Sequence, residues 1–144
     1  MILAMKERNN LAVRGHVGAV LRAGLEYLEA RGEITPPVVV VPAPTRRSSA
    51  RARGGDPVTA ICKASGYPMV RAVYSDEAAA DQSELSAAER RKNLAGSVRI
   101  SAVPRGDVVL VDDVVTTGAT LQATAEALLT RGVSVVAAVV VAAA

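Results

Sequence analysis

Four consecutive valines, Val38-Val39-Val40-Val41, set between Pro36-Pro37 and Pro42, limit the fold of this chain more than any other feature. A strand with one face in water alternates apolar and polar residues. An unbroken apolar run is buried on both faces, as strands of parallel sheets are. The pattern returns at Val108-Val109-Leu110-Val111, and again from Val133 to Ala144, where only Ser134 interrupts it. That last run is too short for the roughly 20 residues of a bilayer span, so no membrane association is expected, and its valines suit a buried strand. Between the last two runs, Leu121 to Thr130 has helical spacing, with Leu121, Ala125, Leu128 and Leu129 assigned inward and Arg131-Gly132 as the stop. Strand, loop, helix and strand in succession form a βαβ unit, whose crossover is nearly always right-handed. The expected fold is α/β: a single domain over residues 1–144, built as an open, mostly parallel sheet flanked by helices.

The remaining elements are weaker. Leu3 to Ala30 reads as a helix, with a break near Asn9-Asn10. Leu11, Val17, Val20, Leu21, Leu25 and Leu28 form its apolar side, and Arg14, Arg22, Glu26 and Glu29 the other. Gly15, Gly18 and Gly24 work against it. Asp56-Pro57 is a helix start for Val58 to Ala64, closed by Gly66. Met69 to Tyr74 and Val98 to Val103 read as short strands, and Ser75 to Glu84 as a polar loop. Ser86-Ala87-Ala88-Glu89 has capping-box spacing, opening a short helix through Arg91 that Gly96 ends.

Composition removes several function classes. Half of the 144 residues are hydrophobic, yet there is no Phe or Trp, so the core is made of Val, Ala, Leu and Ile. The single Cys62 excludes a disulfide framework and a multi-cysteine zinc site, and the single His16 excludes a histidine-rich metal centre. Cys62 reads as a small core residue and His16 as a surface or packing residue. The N-terminus has no apolar stretch of secretory type, so a cytoplasmic location is expected. The net charge of +3 is mild, but Arg46, Arg47, Arg51 and Arg53 cluster with no acid among them. Such a group can face small-molecule phosphates, nucleic acid or solvent. Single-strand binders stack bases on aromatics, and three scattered tyrosines argue against direct nucleic-acid binding.

The ligands of open α/β sheets bind beyond the carboxyl ends of the strands. Two polar loops follow such ends: Pro42 to Arg53, and Asp112 to Thr120. In the second, small residues let a ligand approach the backbone. Free amides at the start of the following helix, with its dipole, favour an anion. Thr116, Thr117 and Thr120 add hydroxyl donors, and no Lys or Arg is present, which suits one phosphate monoester. Asp112 and Asp113 would repel that phosphate at close range. They fit better on another part of the same ligand, as acceptors for adjacent sugar hydroxyls and as aids in holding Mg²⁺. A phosphate and a cis-diol on one molecule describe a ribose 5-phosphate. The loop is neither a P-loop nor a dinucleotide fingerprint, because it lacks the lysine and the partner glycines those motifs need.

The run Val108-Val109-Leu110-Val111-Asp112-Asp113-Val114-Val115-Thr116-Thr117-Gly118-Ala119-Thr120 resembles, at every position, the phosphoribosyl-pyrophosphate (PRPP) signature of type I phosphoribosyltransferases. The resemblance implies that Asp112 and Asp113 bind the ribose hydroxyls and hold Mg²⁺, directly or indirectly. It implies that Thr116, Thr117, Gly118, Ala119 and Thr120 bind the 5′-phosphate, and that Pro44, Thr45, Arg46 and Arg47 bind pyrophosphate. Arg51, Arg53 and Gln82 are further candidate contacts, and Ser75 to Leu85 would be the mobile loop. Val41-Pro42-Ala43-Pro44 with its following arginines, the stretch Gln82 to Asn93, and Met5-Lys6-Glu7-Arg8 resemble the ComF-like (competence protein) branch of that family.

The activity so implied is Mg-dependent phosphoribosyl transfer with release of pyrophosphate, on PRPP or a nucleoside monophosphate. The alternative is a non-catalytic ComF-like accessory protein that binds PRPP or a nucleotide. A homodimer and a partner in DNA-uptake machinery are implied only by the branch. Two departures matter. The four cysteines of the branch's N-terminal zinc module have no counterpart here, so no zinc is carried over. Thr116 stands where enzymes acting on 6-oxopurines carry an aspartate, which argues against hypoxanthine or guanine as acceptor. No residue is identified as a general acid or base.

Overall fold

A computed structural model describes residues 11–44, 56–76, 98–115 and 117–143. Its elements follow in the order α1 (Leu11–Ala30), β1 (Val38–Pro42), α2 (Pro57–Ala64), β2 (Val73–Ser75), β3 (Val98–Ile100), β4 (Asp107–Val115), α3 (Ala119–Leu129) and β5 (Val135–Ala143). The three apolar runs pair as one parallel sheet in the order β1-β4-β5. The α/β class expected from the valine runs is therefore the class observed. The central strand is buried on both faces. Val109 and Val111 join a core with Val17, Leu21 and Leu25 of α1 and Val58, Ile61 and Cys62 of α2. Val108 and Leu110 join a second core with Ala123 and Leu128 of α3 and Val73 and Val98 of the small strands. Each fully buried Val or Leu contributes about 1.5–3 kcal/mol, so a core without aromatics still has ample driving force.

Helix α2 starts as its sequence dictates. The Asp56 carboxylate accepts the Val58 amide at 3.0 Å and the Thr59 hydroxyl at 2.7 Å, with Pro57 in the first turn. Helix α1 passes so close to α2 that a Cβ on Gly18 would fall 2.9 Å from the Ala64 carbonyl carbon, and would also collide with the Ala64 Cβ. The glycine that weakens the helix locally is what permits this approach.

Several expectations need correction. Val20 is 55% exposed, and Arg14 is only 7% exposed. The buried stripe runs Arg14, Val17, Leu21, Leu25, and Val20 falls off it by one helical step. Met69 to Tyr74 is not one strand. Pro68 and Val70 bond to Val40 across the free side of β1, at 2.8 and 3.1 Å. The chain then leaves that sheet, and β2 pairs antiparallel with β3. Strand β3 ends at Ile100 rather than Val103. Helix α3 begins at Ala119 and leaves Leu129 58% exposed. β5 is not a buried strand: it lies outermost, and its described side chains are half-buried or exposed. The expected helix from Ser86, most of the Ser75 to Glu84 loop, and the part of the first helix before Leu11 lie outside the described residues. No helix among the described residues is long and apolar enough to cross a membrane.

Candidate functional site

Strand β4 continues to Val115, so Asp112 and Asp113 lie within the strand rather than beyond its end. The long partner causes this: Asp112 pairs with Val140, Val114 with Ala142 and Val115 with Ala143. The pleat then separates the two acids. Val109 and Val111 face the α1 and α2 side, and Asp113 follows them on that face. Val108 and Leu110 face the α3 side, and Asp112 follows them. Asp113 is 7% exposed, and Asp112 is half-buried. The Asp112 Oδ1 accepts the Asp113 amide at 2.8 Å, which fixes the first carboxylate against the backbone. Both acids make further polar contacts.

The turn after β4 opens α3. Gly118 takes the left-handed conformation (φ 77°) at the helix N-cap, a place where a side chain would be strained. It supplies no side-chain cap. The Ala119 amide donates to the Thr117 hydroxyl at 3.3 Å, and the first helical bond runs from the Gln122 amide to the Gly118 carbonyl at 2.9 Å. Helix geometry leaves the Thr120 and Leu121 amides without an intrahelical acceptor. Farther in, the Thr124 hydroxyl donates to the Thr120 carbonyl at 2.7 Å. Thr117 is exposed, and Gly118, Ala119 and Thr120 are half-buried, so this turn is open to a ligand.

The end of β1 lies beside the acids. Pro42 is in register with Val111, and the Ala43 amide donates to the Val111 carbonyl at 2.8 Å. Pro44, half-buried, lies two residues beyond the end of β1, the strand paired with β4, and is the last described residue before the arginine cluster. Asp112, Asp113, Thr117, Gly118, Ala119, Thr120 and Pro44 are thus gathered at the carboxyl ends of two neighbouring strands. Thr116, Thr45, Arg46, Arg47, Arg51, Arg53 and Gln82 lie outside the described residues. Arg14 of α1, 7% exposed, is a charged residue that the sequence pattern assigned to the wrong side of its helix. Its spacing three residues before Val17 was the available signal.

Cys62 is in the core, as its helical position suggests. Burial, helped by the Asp56 charge, pushes its thiol up to about 12. A thiol so protonated is no nucleophile at neutral pH. The folded chain is expected to resist a thiol reagent at pH 8 and to react fully once unfolded, and rapid labelling of the folded chain would contradict this. The sign for stability follows. The fold favours the protonated thiol, so this group's contribution is present below the ordinary thiol pKa of about 8.5 and is lost as pH rises toward the folded value. Tyr67, raised to about 12 by burial and then by its 2.8 Å bond to Glu29, works in the same direction at higher pH.

The fold class is a parallel α/β sheet, and in open sheets of this kind ligand sites lie at the carboxyl ends of the strands, where a helix start can receive an anion. The family model of the phosphoribosyl transferase domain matches residues 60–144, and the chain belongs to that family. Among solved structures, the chain is similar to a hypoxanthine phosphoribosyltransferase from Staphylococcus aureus in a tetragonal crystal form. The match has 19% identity and a TM-score of 0.47, over 92% of this chain and 63% of that one. The orthorhombic form of the same protein gives 18% identity and a TM-score of 0.46 over the same shares. The chain thus spans under two thirds of the length of these structures. Among curated proteins, none matches the chain.

Proposed function

We propose that the chain binds PRPP at the ends of β1 and β4 and transfers its phosphoribosyl group to an acceptor other than a 6-oxopurine. One observation carries the reading: an acidic strand end and an uncapped, glycine-started helix are joined by a single short turn. This is what a sugar phosphate needs, with acceptors for the hydroxyls and amide donors for the phosphate. Asp112 and Asp113 would accept from the ribose hydroxyls. The amides and hydroxyls of Thr116 to Thr120 would hold the 5′-phosphate. Pro44, Thr45, Arg46 and Arg47 would border the pyrophosphate, with Arg51, Arg53 and Gln82 as candidates to close over it.

In the reaction, the bond from C1 to the pyrophosphate oxygen breaks, and its electron pair leaves with pyrophosphate. The acceptor's lone pair forms the new bond to C1. Cationic groups positioned on the departing pyrophosphate lower this barrier, which is the role given to the arginines. Mg²⁺ suits carboxylate and substrate oxygens as shared ligands. Among the described residues no three metal-ligating side chains gather, and the pleat turns Asp112 and Asp113 to opposite faces, so one or the other carboxylate would hold the ion, directly or through water, together with oxygens of the substrate. Bound there, it would offset charge on the leaving group. Thr116 has no group to serve as base for a 6-oxopurine.

The test is pyrophosphate release from PRPP and Mg²⁺ across a panel of nitrogenous bases and amines. Release that depends on an acceptor, with hypoxanthine and guanine inactive, is the expected result. PRPP binding with no release for any acceptor would make the chain the non-catalytic, ComF-like binder instead. No PRPP binding at all would end the reading.

A further inference from the structure

Strand β5 is the outermost of its sheet, and among the described strands only β4 pairs with it. Its other edge carries the amides and carbonyls that an edge strand leaves without sheet partners. Such edges are ordinarily guarded by a charge, a proline or a bulge. Val135–Ala143 holds no charged residue and no proline. The shift in its pairing falls at Val136, so Ala137 to Ala143 run on in regular register with β4. The side chains of Val136 and Ala138 are exposed.

One flank of α1 continues this side of the molecule. Helix α1 packs on β5, whereas α2 packs on β1 and β4. Three residues of α1 point toward α2. Gly18 lies against Ala64, the Arg22 guanidinium would lie 3.5 Å from a Cβ on Gly66, and Glu29 accepts from the Tyr67 hydroxyl at 2.8 Å. At about 100° per residue these three fall within roughly 40° of one another, and Val20 and Tyr27 fall on the opposite flank, on the side of the free β5 edge. Val20 is 55% exposed and Tyr27 60%. His16 and Ala23 share that flank and are exposed. Arg31, just past the helix, is ion-paired with Glu33 at 2.8 Å and lies 5.6 Å from the centre of the Tyr27 ring. On the other face of the sheet, α3 also packs on β5.

We propose that this side is an interface between two copies of the chain, which meet across a two-fold axis with β5 antiparallel to its counterpart and the two α1 flanks packed over the seam. The product is one continuous sheet in the order β1-β4-β5-β5-β4-β1. Two arguments favour a second copy over another occupant. The first is charge. The chain carries +3 with His16 neutral, but β5 and the outward flank of α1 contribute none of it, because Glu33 offsets Arg31. Identical faces therefore meet without like-charge repulsion, and in any antiparallel register Val and Ala of β5 oppose Val and Ala. The second is area. The regular stretch Ala137 to Ala143 spans about 23 Å, and a strand edge flanked by two helices, each about 10–12 Å across, is roughly 25 Å tall. That is on the order of 600 Å² per copy, about 1,200 Å² in total, the lower end of what stable specific interfaces bury. The proposal is independent of the PRPP reading.

Sedimentation velocity on the full chain over a wide concentration range tests this. The expected result is a species of twice the chain mass that dissociates on dilution. Val20→Lys and Ala138→Lys each set like charges against one another across the axis. Both positions are exposed in the single chain, so both variants should fold, which circular dichroism reports. Each is expected to weaken the dimer at least roughly tenfold. Mixing Val20→Lys with Val20→Glu chains is expected to restore it, because the axis brings the two flanks together. A chain that stays monomeric at the highest concentration would overturn the proposal and leave this side to another partner or to a segment outside the described residues. A dimer that tolerates both lysines would overturn it as well, as would open-ended assemblies, which a closed two-fold does not produce.

Discussion

Changing Asp112 and Asp113 together to asparagine is expected to abolish measurable PRPP binding while the chain stays folded. Asparagine keeps the shape of each side chain and an oxygen acceptor, but it removes the charge that strengthens a bond from a sugar hydroxyl. Charged hydrogen bonds contribute about 1.5–3 kcal/mol each, so losing the charge at both sites lowers affinity by roughly a hundredfold or more. Calorimetric titration with PRPP and Mg²⁺ measures the loss, and circular dichroism reports the fold. The single changes should differ. Asp112 is half-buried and holds the neighbouring amide at 2.8 Å, so Asp112→Asn should cost affinity with little stability. Asp113 is 7% exposed, so Asp113→Asn should also lower stability, by about 1–3 kcal/mol. PRPP affinity in the double variant equal to that of the unsubstituted chain would remove both acids from the site.

The largest purely structural effect is expected at Gly18. Valine there would drive its Cβ into Ala64, including backbone atoms 2.9 and 3.1 Å away that cannot rotate aside. Overpacking of this kind typically costs about 1–3 kcal/mol, occasionally more. The gain in helix propensity on replacing glycine is under about 1 kcal/mol. The crossing of α1 over α2 must therefore open, and urea unfolding should show a loss of about 2–3 kcal/mol. Adding Ala64→Gly should restore only part of it, since it removes the Cβ contact but not the backbone ones. A Gly18→Val chain as stable as the original would mean that the two helices do not cross at this point.

The valine runs were legible as sheet strands because an apolar run flanked by prolines or turn residues has few other stable uses. The α2 start was legible too, because Asp56 and Pro57 act through bonds within one turn. The pattern misled where partners in space decided the outcome. Leu129 is apolar and helical, yet exposed, because α3 meets the second core along Ala123, Thr124 and Leu128 instead. Met69 and Tyr74 lie close in sequence but belong to different sheets, because β1 and β3 each claim one end of that segment. At the site, the acid pair and the Thr-Gly turn were evident from residue types alone. The placing of Asp112 and Asp113 on opposite faces of the sheet was not.

The sequence by itself determined the strand class, the capped helix and the chemistry of the acidic, glycine-containing turn, because each depends on residues within a few positions of one another. Only the tertiary structure decided that β4 runs on through both acids, that β5 lies at the outside, and that Arg14 is buried while Val20 faces water. The reason is that strand length and helix rotation are set by what lies alongside: nine residues of β5 to pair with, and a sheet face to cover. Helical periodicity names a stripe of the helix. It does not say which side of that stripe the rest of the molecule will occupy.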